Sequence, residues 1–175
     1  MRMPFWASAL AAALIAAAPQ GEIATSAGGS ISYSADGSKT RLQIRTAGGK
    51  HYDVRVERDS TVAPDAPPTK IQLVGEIAGK ALILADTYDS APLGMQYCQA
   101  GQEEFLRVIT FAGDTASETL HMKLGSCRNN VELADPAWSW NSKTRTLQIH
   151  WLEGPDDPGS AEERTIRIGA GGKPE

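Results

Sequence analysis

The histidines are the first residues to test for metal or acid–base chemistry. The chain has three of them, His51, His121 and His150, and they form neither the HxH nor the HExxH spacing of a metal site. His121 and His150 each lie between apolar residues of an alternating segment, so we expect their side chains to point away from the core. The sequence also contains no GxSxG nucleophile motif and no phosphate-binding glycine loop. These patterns predict no metal, no cofactor and no hydrolase site.

The adjacent carboxylates do not fit acid–base catalysis. Asp156 and Asp157 lie between two prolines, without the further regularly spaced oxygens that bind calcium. Glu103 and Glu104 begin an alternating segment, and neighbouring residues of a strand point to opposite faces of its sheet. A glycosidase needs two carboxylates that flank one bond, which this pair cannot provide. We therefore predict that the protein is not an enzyme.

The two cysteines, Cys98 and Cys127, are predicted to form a disulfide. The apolar run at 7–18 is typical of an export signal, and two thiols in an exported chain normally become a bridge. Closing a loop of about 30 residues stabilises a fold by roughly 3.5 kcal/mol. The alternative is that Cys127 is a nucleophile, because it lies beside the cation Arg128. A nucleophilic cysteine needs a histidine base, and the sequence identifies none. We favour a structural bridge.

The long segment that contains the first cysteine has the features of a recognition loop. Residues 89–102 are the longest stretch without strand periodicity, and they include Leu93, Met95 and Tyr97 among glutamines and glycines. The predicted bridge would tether this loop to a turn at 125–130. Aromatic and arginine side chains on such a surface are typical anchors of protein interfaces. The contact residues that we predict are Met95, Tyr97, Gln99, Glu103, Arg128, Asn129 and Asn130. The alternative is that Leu93 and Tyr97 close the end of the core.

A tryptophan pair gives a second hypothesis for function. Trp138 and Trp140 are two residues apart, so both face the same side of a strand. Such a pair is either part of the core or a flat platform for sugar rings. The second case would make the protein a carbohydrate- or envelope-binding module.

The elements that position these residues are predicted to be strands. Apolar and polar residues alternate in short segments separated by turn residues, and the mature chain has no sustained helical periodicity. The predicted strands are 31–34, 40–46, 52–57, 70–77, 81–88, 104–111, 118–124, 138–140, 145–152 and 164–168. The segment 81–85 is apolar on both faces, which indicates a central strand. The fold class is therefore all-β, an antiparallel sandwich or barrel of about ten short strands joined by hairpin turns.

The N-terminal segment is predicted to be a cleaved signal peptide. Arg2 precedes an apolar run at 7–18, which is shorter than the roughly 20 residues of a membrane-spanning helix. Cleavage is expected near residue 18 or near residue 27. No later stretch is apolar enough to span a bilayer, so we expect a periplasmic or secreted protein that is not embedded in the membrane.

Length and charge limit the remaining classes of function. The 175 residues suit one domain, which we place at 28–170 after a signal peptide and short flexible lead (1–27) and before a C-terminal tail (171–175). A net charge of −4 argues against nucleic acid as a partner. We therefore expect an exported, non-enzymatic module that binds another protein, as a hydrolase inhibitor or an immunity protein does, with glycan as the alternative partner.

Overall fold

The computed structural model describes residues 21–91, 101–157 and 159–175, and within these ranges the protein is all-β, as its sequence predicts. It has eleven strands and no helix there. The strands are β1 (Gly21–Ala24), β2 (Ser30–Asp36), β3 (Lys39–Arg45), β4 (His51–Glu57), β5 (Lys70–Ile77), β6 (Ala81–Asp89), β7 (Gln102–Ala112), β8 (Thr115–Ser126), β9 (Glu132–Asn141), β10 (Thr146–Glu153) and β11 (Glu162–Arg167).

The strands form three antiparallel sheets, each built from strands that are consecutive in the chain. Their orders are β1-β2-β3-β4, β5-β6-β7-β8 and β11-β10-β9. Short turns join the neighbours, and Gly49, Gly79 and Gly113 adopt positive φ angles of 79°, 63° and 63° in three of them. Glycine adopts this backbone region without steric cost, which explains why these turns can be so tight.

Two hydrophobic core clusters lie on opposite faces of the sheet β5–β8. Eight of the nine residues of β6 are buried, which fits the prediction of a central strand. On β6, Ile83 belongs to the cluster that includes Ile149 and Trp151 of β10, whereas Leu84 belongs to the cluster that includes Leu42 of β3. The side chains of β6 thus alternate between two cores, so this strand needs apolar residues at successive positions.

The ordered structure extends beyond the domain limits of 28–170 at both ends. β1 lies within the segment expected to be a flexible lead, and it pairs with β2 from Gly21↔Tyr33 to Ala24↔Ser30. At the other end, Pro174 forms a bridge with Ile168, and the Thr110 hydroxyl donates a 3.0 Å hydrogen bond to the carbonyl of Gly172. Backbone pairing therefore includes residues 21–24 at one end and Pro174 at the other.

Candidate functional site

Glu103 lies at the beginning of β7 and is completely buried, with an exposed fraction of 0%. Its Oε1 accepts a 2.8 Å hydrogen bond from the Ser90 hydroxyl, and its Oε2 accepts a 2.6 Å bond from the Ser126 hydroxyl. The ammonium group of Lys123 lies 3.6 Å from Oε2. Glu103 was predicted to contact a partner, but its carboxylate points inward and cannot do so directly. Its carboxylate instead joins the segments that contain Ser90 and Ser126 through these two hydrogen bonds.

The turn that follows β8, residues 126–130, is organised by this carboxylate. The backbone N–H of Arg128 donates to Glu103 Oε1 at 3.3 Å, and the N–H of Asn129 donates to the Ser126 hydroxyl at 3.1 Å. Asn130 has a positive φ of 55°, a conformation that asparagine tolerates better than most residues. We call this segment the 126–130 turn, and its backbone is fixed by a buried charged acceptor.

The 126–130 turn presents polar side chains to solvent. Asn129 and Asn130 are exposed and Arg128 is half-buried. The Arg128 guanidinium donates a 3.4 Å hydrogen bond to the carbonyl of Ser60, and the Asn130 amide donates to the carboxylate of Glu153. Arg128, Asn129 and Asn130 thus lie together in one turn, and their contact with a partner stays a prediction.

The loop half of the predicted surface lies outside the described residues. This applies to Met95, Tyr97, Cys98 and Gln99, so their part in binding stays a prediction. Cys127 directly follows β8, and its N–H donates a 3.2 Å hydrogen bond to the carbonyl of Gln102. The bridge between Cys98 and Cys127 likewise stays a prediction.

A second polar cluster, which sequence analysis missed, is buried between the sheets β1–β4 and β5–β8. Arg107 of β7 is 1% exposed, and its Nε donates a 2.6 Å hydrogen bond to Oδ2 of Asp86, which is 2% exposed. The Tyr88 hydroxyl also donates to this oxygen at 2.6 Å and lies 2.9 Å from the Thr40 hydroxyl. Arg107 Nη1 donates to Glu118 at 2.6 Å. We call these five residues the Arg107 cluster.

The Arg107 cluster lies in the interior, where burial of its charged groups costs free energy. Burial raises the pKa of Asp86, and the cation of Arg107 acts in the opposite direction. Asp86 Oδ1 and Arg107 Nη2 have no hydrogen-bond partner among the described residues. A sequence signal did exist, because Asp86 and Arg107 are charged residues inside two apolar strands that pair with each other.

His121 lies beside this cluster and differs from a simple surface histidine. Its ring centroid is 5.1 Å from that of Phe105, although the side chain keeps access to solvent. Removal of water and then the nearby charge of Arg107 lower the pKa of His121 to about 4, whereas Asp59 acts to raise it. The histidine is therefore neutral in the folded protein at pH 7.

We expect His121 to make the folded state less stable as the pH falls from about 6.5 to 4. The pKa of His121 is lower in the folded protein than in the unfolded chain. As the pH falls, the unfolded chain therefore binds the proton first, and this binding stabilises the unfolded state relative to the folded state over that range. Glu104 and Glu118 have raised pKa values and contribute with the opposite sign. The measurement is urea unfolding across this pH range for the wild type and His121→Gln. The wild type should lose more stability on acidification, and equal losses would contradict the assignment.

The tryptophan pair faces the core rather than solvent. Trp138 and Trp140 are half-buried and pack against the cluster that contains Ile149. The Trp140 ring covers Gly75 so closely that a Cβ atom there would lie 2.7 Å from it. Among the described residues, Leu152 is the large apolar side chain that is exposed. Each residue thus has part of its surface against the core and part exposed, and the sugar platform stays a prediction.

Comparison of the chain with protein-family models, with curated proteins and with solved structures finds no match. Within the described ranges, no three His, Cys, Asp or Glu side chains are grouped as metal ligands. The same part of the chain has no helix that is long and apolar enough to cross a membrane.

Proposed function

We propose that this chain is an exported, non-enzymatic module that binds another protein through the 126–130 turn. The observation that carries the proposal is the buried Glu103 carboxylate, which accepts hydrogen bonds from the Ser126 hydroxyl and the Arg128 N–H. A buried carboxylate is expensive to desolvate. Its position beneath an exposed turn supports a role in holding that turn in one conformation.

A fixed turn favours tight binding because less entropy is lost on association. Arg128 is already oriented by its hydrogen bond to Ser60, while the exposed Asn129 and Asn130 supply donors and acceptors around it. Arginine is enriched among the residues that dominate interface energies. This arrangement suits an anchor with a polar surround, as in an inhibitor of a hydrolase or an immunity protein.

Export and the disulfide are part of the same proposal. A signal peptide ending near residue 18 would leave β1 intact, whereas cleavage near residue 27 would remove the strand Gly21–Ala24 from its pairing with β2. We therefore favour the earlier site. A bridge from Cys127 to Cys98 would connect the 126–130 turn to the loop that contains Tyr97, the main anchor that the sequence predicts.

The carbohydrate-binding alternative receives less support from the structure. Its platform, Trp138 and Trp140, packs against the core. Only the part of each residue that stays exposed could contact a sugar, which leaves less area than a fully exposed pair would offer. We therefore propose a protein, and not a glycan, as the partner.

The test is a comparison of binding by variants of the exported protein. A partner captured from periplasmic extract is purified, and its affinity is measured by calorimetry. Arg128→Ala is expected to weaken binding at least about tenfold, because truncation of an interface anchor typically costs on the order of 2 kcal/mol. The melting temperature should change little, since the Arg128 side chain is outside the core clusters.

The matched control is Arg55→Ala. Arg55 is an exposed arginine of β4 that forms an ion pair with Asp36 of β2. This variant should bind with wild-type affinity. Loss of binding by Arg55→Ala with normal binding by Arg128→Ala would place the interface on the β1–β4 sheet and refute the proposal.

A further inference from the structure

A cleft of about 540 Å³ lies at the end of the domain where four connections meet. They are the β1–β2 connection, the β3–β4 turn, the β5–β6 turn and the β7–β8 turn. β7 runs from Glu103 near its beginning to Ala112 at this end, so the cleft and the 126–130 turn lie at opposite ends of that strand. We call it the tip cleft.

The inner wall of the tip cleft is apolar and comes from two sheets. Ile44 and Tyr52 of the first sheet and Leu82 and Phe111 of the second line it. Ile44 and Leu82 are almost fully buried, and Tyr52 and Phe111 are each 9% exposed, so the two rings supply most of the accessible surface of these four residues. The ring centroids of Tyr52 and Phe111 are 4.8 Å apart. Pockets that bind small molecules have volumes of about 300–1,000 Å³ and predominantly apolar walls. The tip cleft therefore has the size and lining of a site for an apolar group.

Hydrogen bonds between the turns hold the tip cleft in shape. The Tyr52 hydroxyl donates to the carbonyl of Gly113 at 3.0 Å, and Lys50 Nζ donates to the same carbonyl at 3.2 Å. On the other side, Glu76 accepts bonds from the Ser26 hydroxyl at 2.5 Å and from the N–H of Ala27 at 3.2 Å. These hydrogen bonds connect the walls of the tip cleft and leave the space between them open.

The charges that border the tip cleft favour an anion. Three cations line it, Arg45, Lys50 and Lys80, against one carboxylate, Glu76. Lys50 is neutralised by Asp114 at 2.8 Å. Arg45 and Lys80 form no ion pair within the described part of the chain. A positive excess therefore remains beside an apolar wall, in a protein whose net charge is −4.

We propose that the tip cleft binds a small amphipathic carboxylate, an acyl chain of medium length with its chain against the apolar wall and its acid group beside Arg45 and Lys80. Burial of the chain provides the affinity, and the unpaired cations select the charged head group over a neutral one. This site is separate from the 126–130 turn, so it does not depend on the proposed protein partner.

The experiment titrates the protein with decanoate and with decanol, a neutral probe of the same chain length, by calorimetry and by backbone NMR shifts. The wild type is expected to bind decanoate more tightly than decanol, with shifts concentrated at Gly79 and Gly113. The double variant Arg45→Gln/Lys80→Gln should weaken decanoate binding at least about fivefold and leave decanol binding unchanged. Ala78→Phe, a substitution at an exposed lining residue, should block both probes.

Arg55→Gln is the control, because this exposed arginine does not line the tip cleft. It should bind both probes as the wild type does. Absence of decanoate binding by the wild type, shifts located away from the tip cleft, or equal effects of the double variant and Arg55→Gln would each overturn the proposal.

Discussion

Replacing Arg107 with methionine is expected to lower the free energy of unfolding by about 3–5 kcal/mol. Arg107 and Asp86 are almost fully buried, so the substitution leaves Asp86 in the interior without its cation. Asp86 is then either charged and unpaired or protonated, and each state costs free energy at neutral pH. The remaining partner of Asp86 Oδ2 is the Tyr88 hydroxyl, which cannot supply the missing charge. The measurement is equilibrium unfolding in urea, monitored by tryptophan fluorescence.

The double variant Arg107→Met/Asp86→Leu separates the loss of charge balance from the loss of packing. Replacement of a buried ion pair by apolar residues of similar size is often neutral. Glu118 also loses its bond from Arg107, but 18% of its side chain is exposed to solvent, so the double variant should recover most of the lost stability. A single variant that unfolds within about 1 kcal/mol of the wild type would contradict the argument. So would a double variant that is less stable than the single one.

The stability of Arg107→Met as a function of pH is a second test of the role of Arg107. In the wild type, Arg107 opposes the effect of burial, which raises the pKa of Asp86. Without Arg107 that opposition is lost, so the folded variant keeps a proton on Asp86 that the unfolded chain releases above about pH 4. The deficit in stability should therefore grow as the pH rises from about 5 to 8.

Strand positions could be predicted because the alternating apolar residues of one strand pair with those of its neighbour, as in β3 and β4. Leu42 and Ile44 of β3 pair with Val54 and Tyr52 of β4, and all four are buried. β9 was harder, because only 138–140 was predicted whereas the strand spans Glu132–Asn141. It is an edge strand whose exposed Asp135 and Pro136 interrupt the apolar pattern.

The sites depended more on tertiary structure. The grouping of Arg128, Asn129 and Asn130 could be predicted because they are adjacent in the chain. The burial of Glu103 could not, because it lies between Gln102 and Glu104, and nothing local marks a buried acid. The tip cleft was equally inaccessible to sequence analysis, since its walls come from turns that are separated along the chain by many residues.

Replacing Glu103 with alanine is expected to destabilise the protein by about 3 kcal/mol and to loosen the 126–130 turn. The substitution removes the acceptor of the hydroxyls of Ser90 and Ser126, which are both buried, and of the Arg128 N–H. Lys123, 3.6 Å away, also loses a counter-charge. The measurements are urea unfolding and amide hydrogen exchange.

Two variants make this result specific to the carboxylate. Glu103→Gln keeps one carbonyl oxygen and the side-chain volume, so its loss of stability should be smaller than that of Glu103→Ala. Glu104→Ala removes the neighbouring, half-buried acid, which makes none of these bonds to the turn, and exchange of the amides of Arg128 and Asn129 should stay at the wild-type rate. If Glu103→Ala also left those two amides protected as in the wild type, Glu103 would not be what holds the turn. Another interaction would then have to fix the conformation of the 126–130 turn, because the proposed presentation of Arg128 to a partner depends on the buried carboxylate of Glu103.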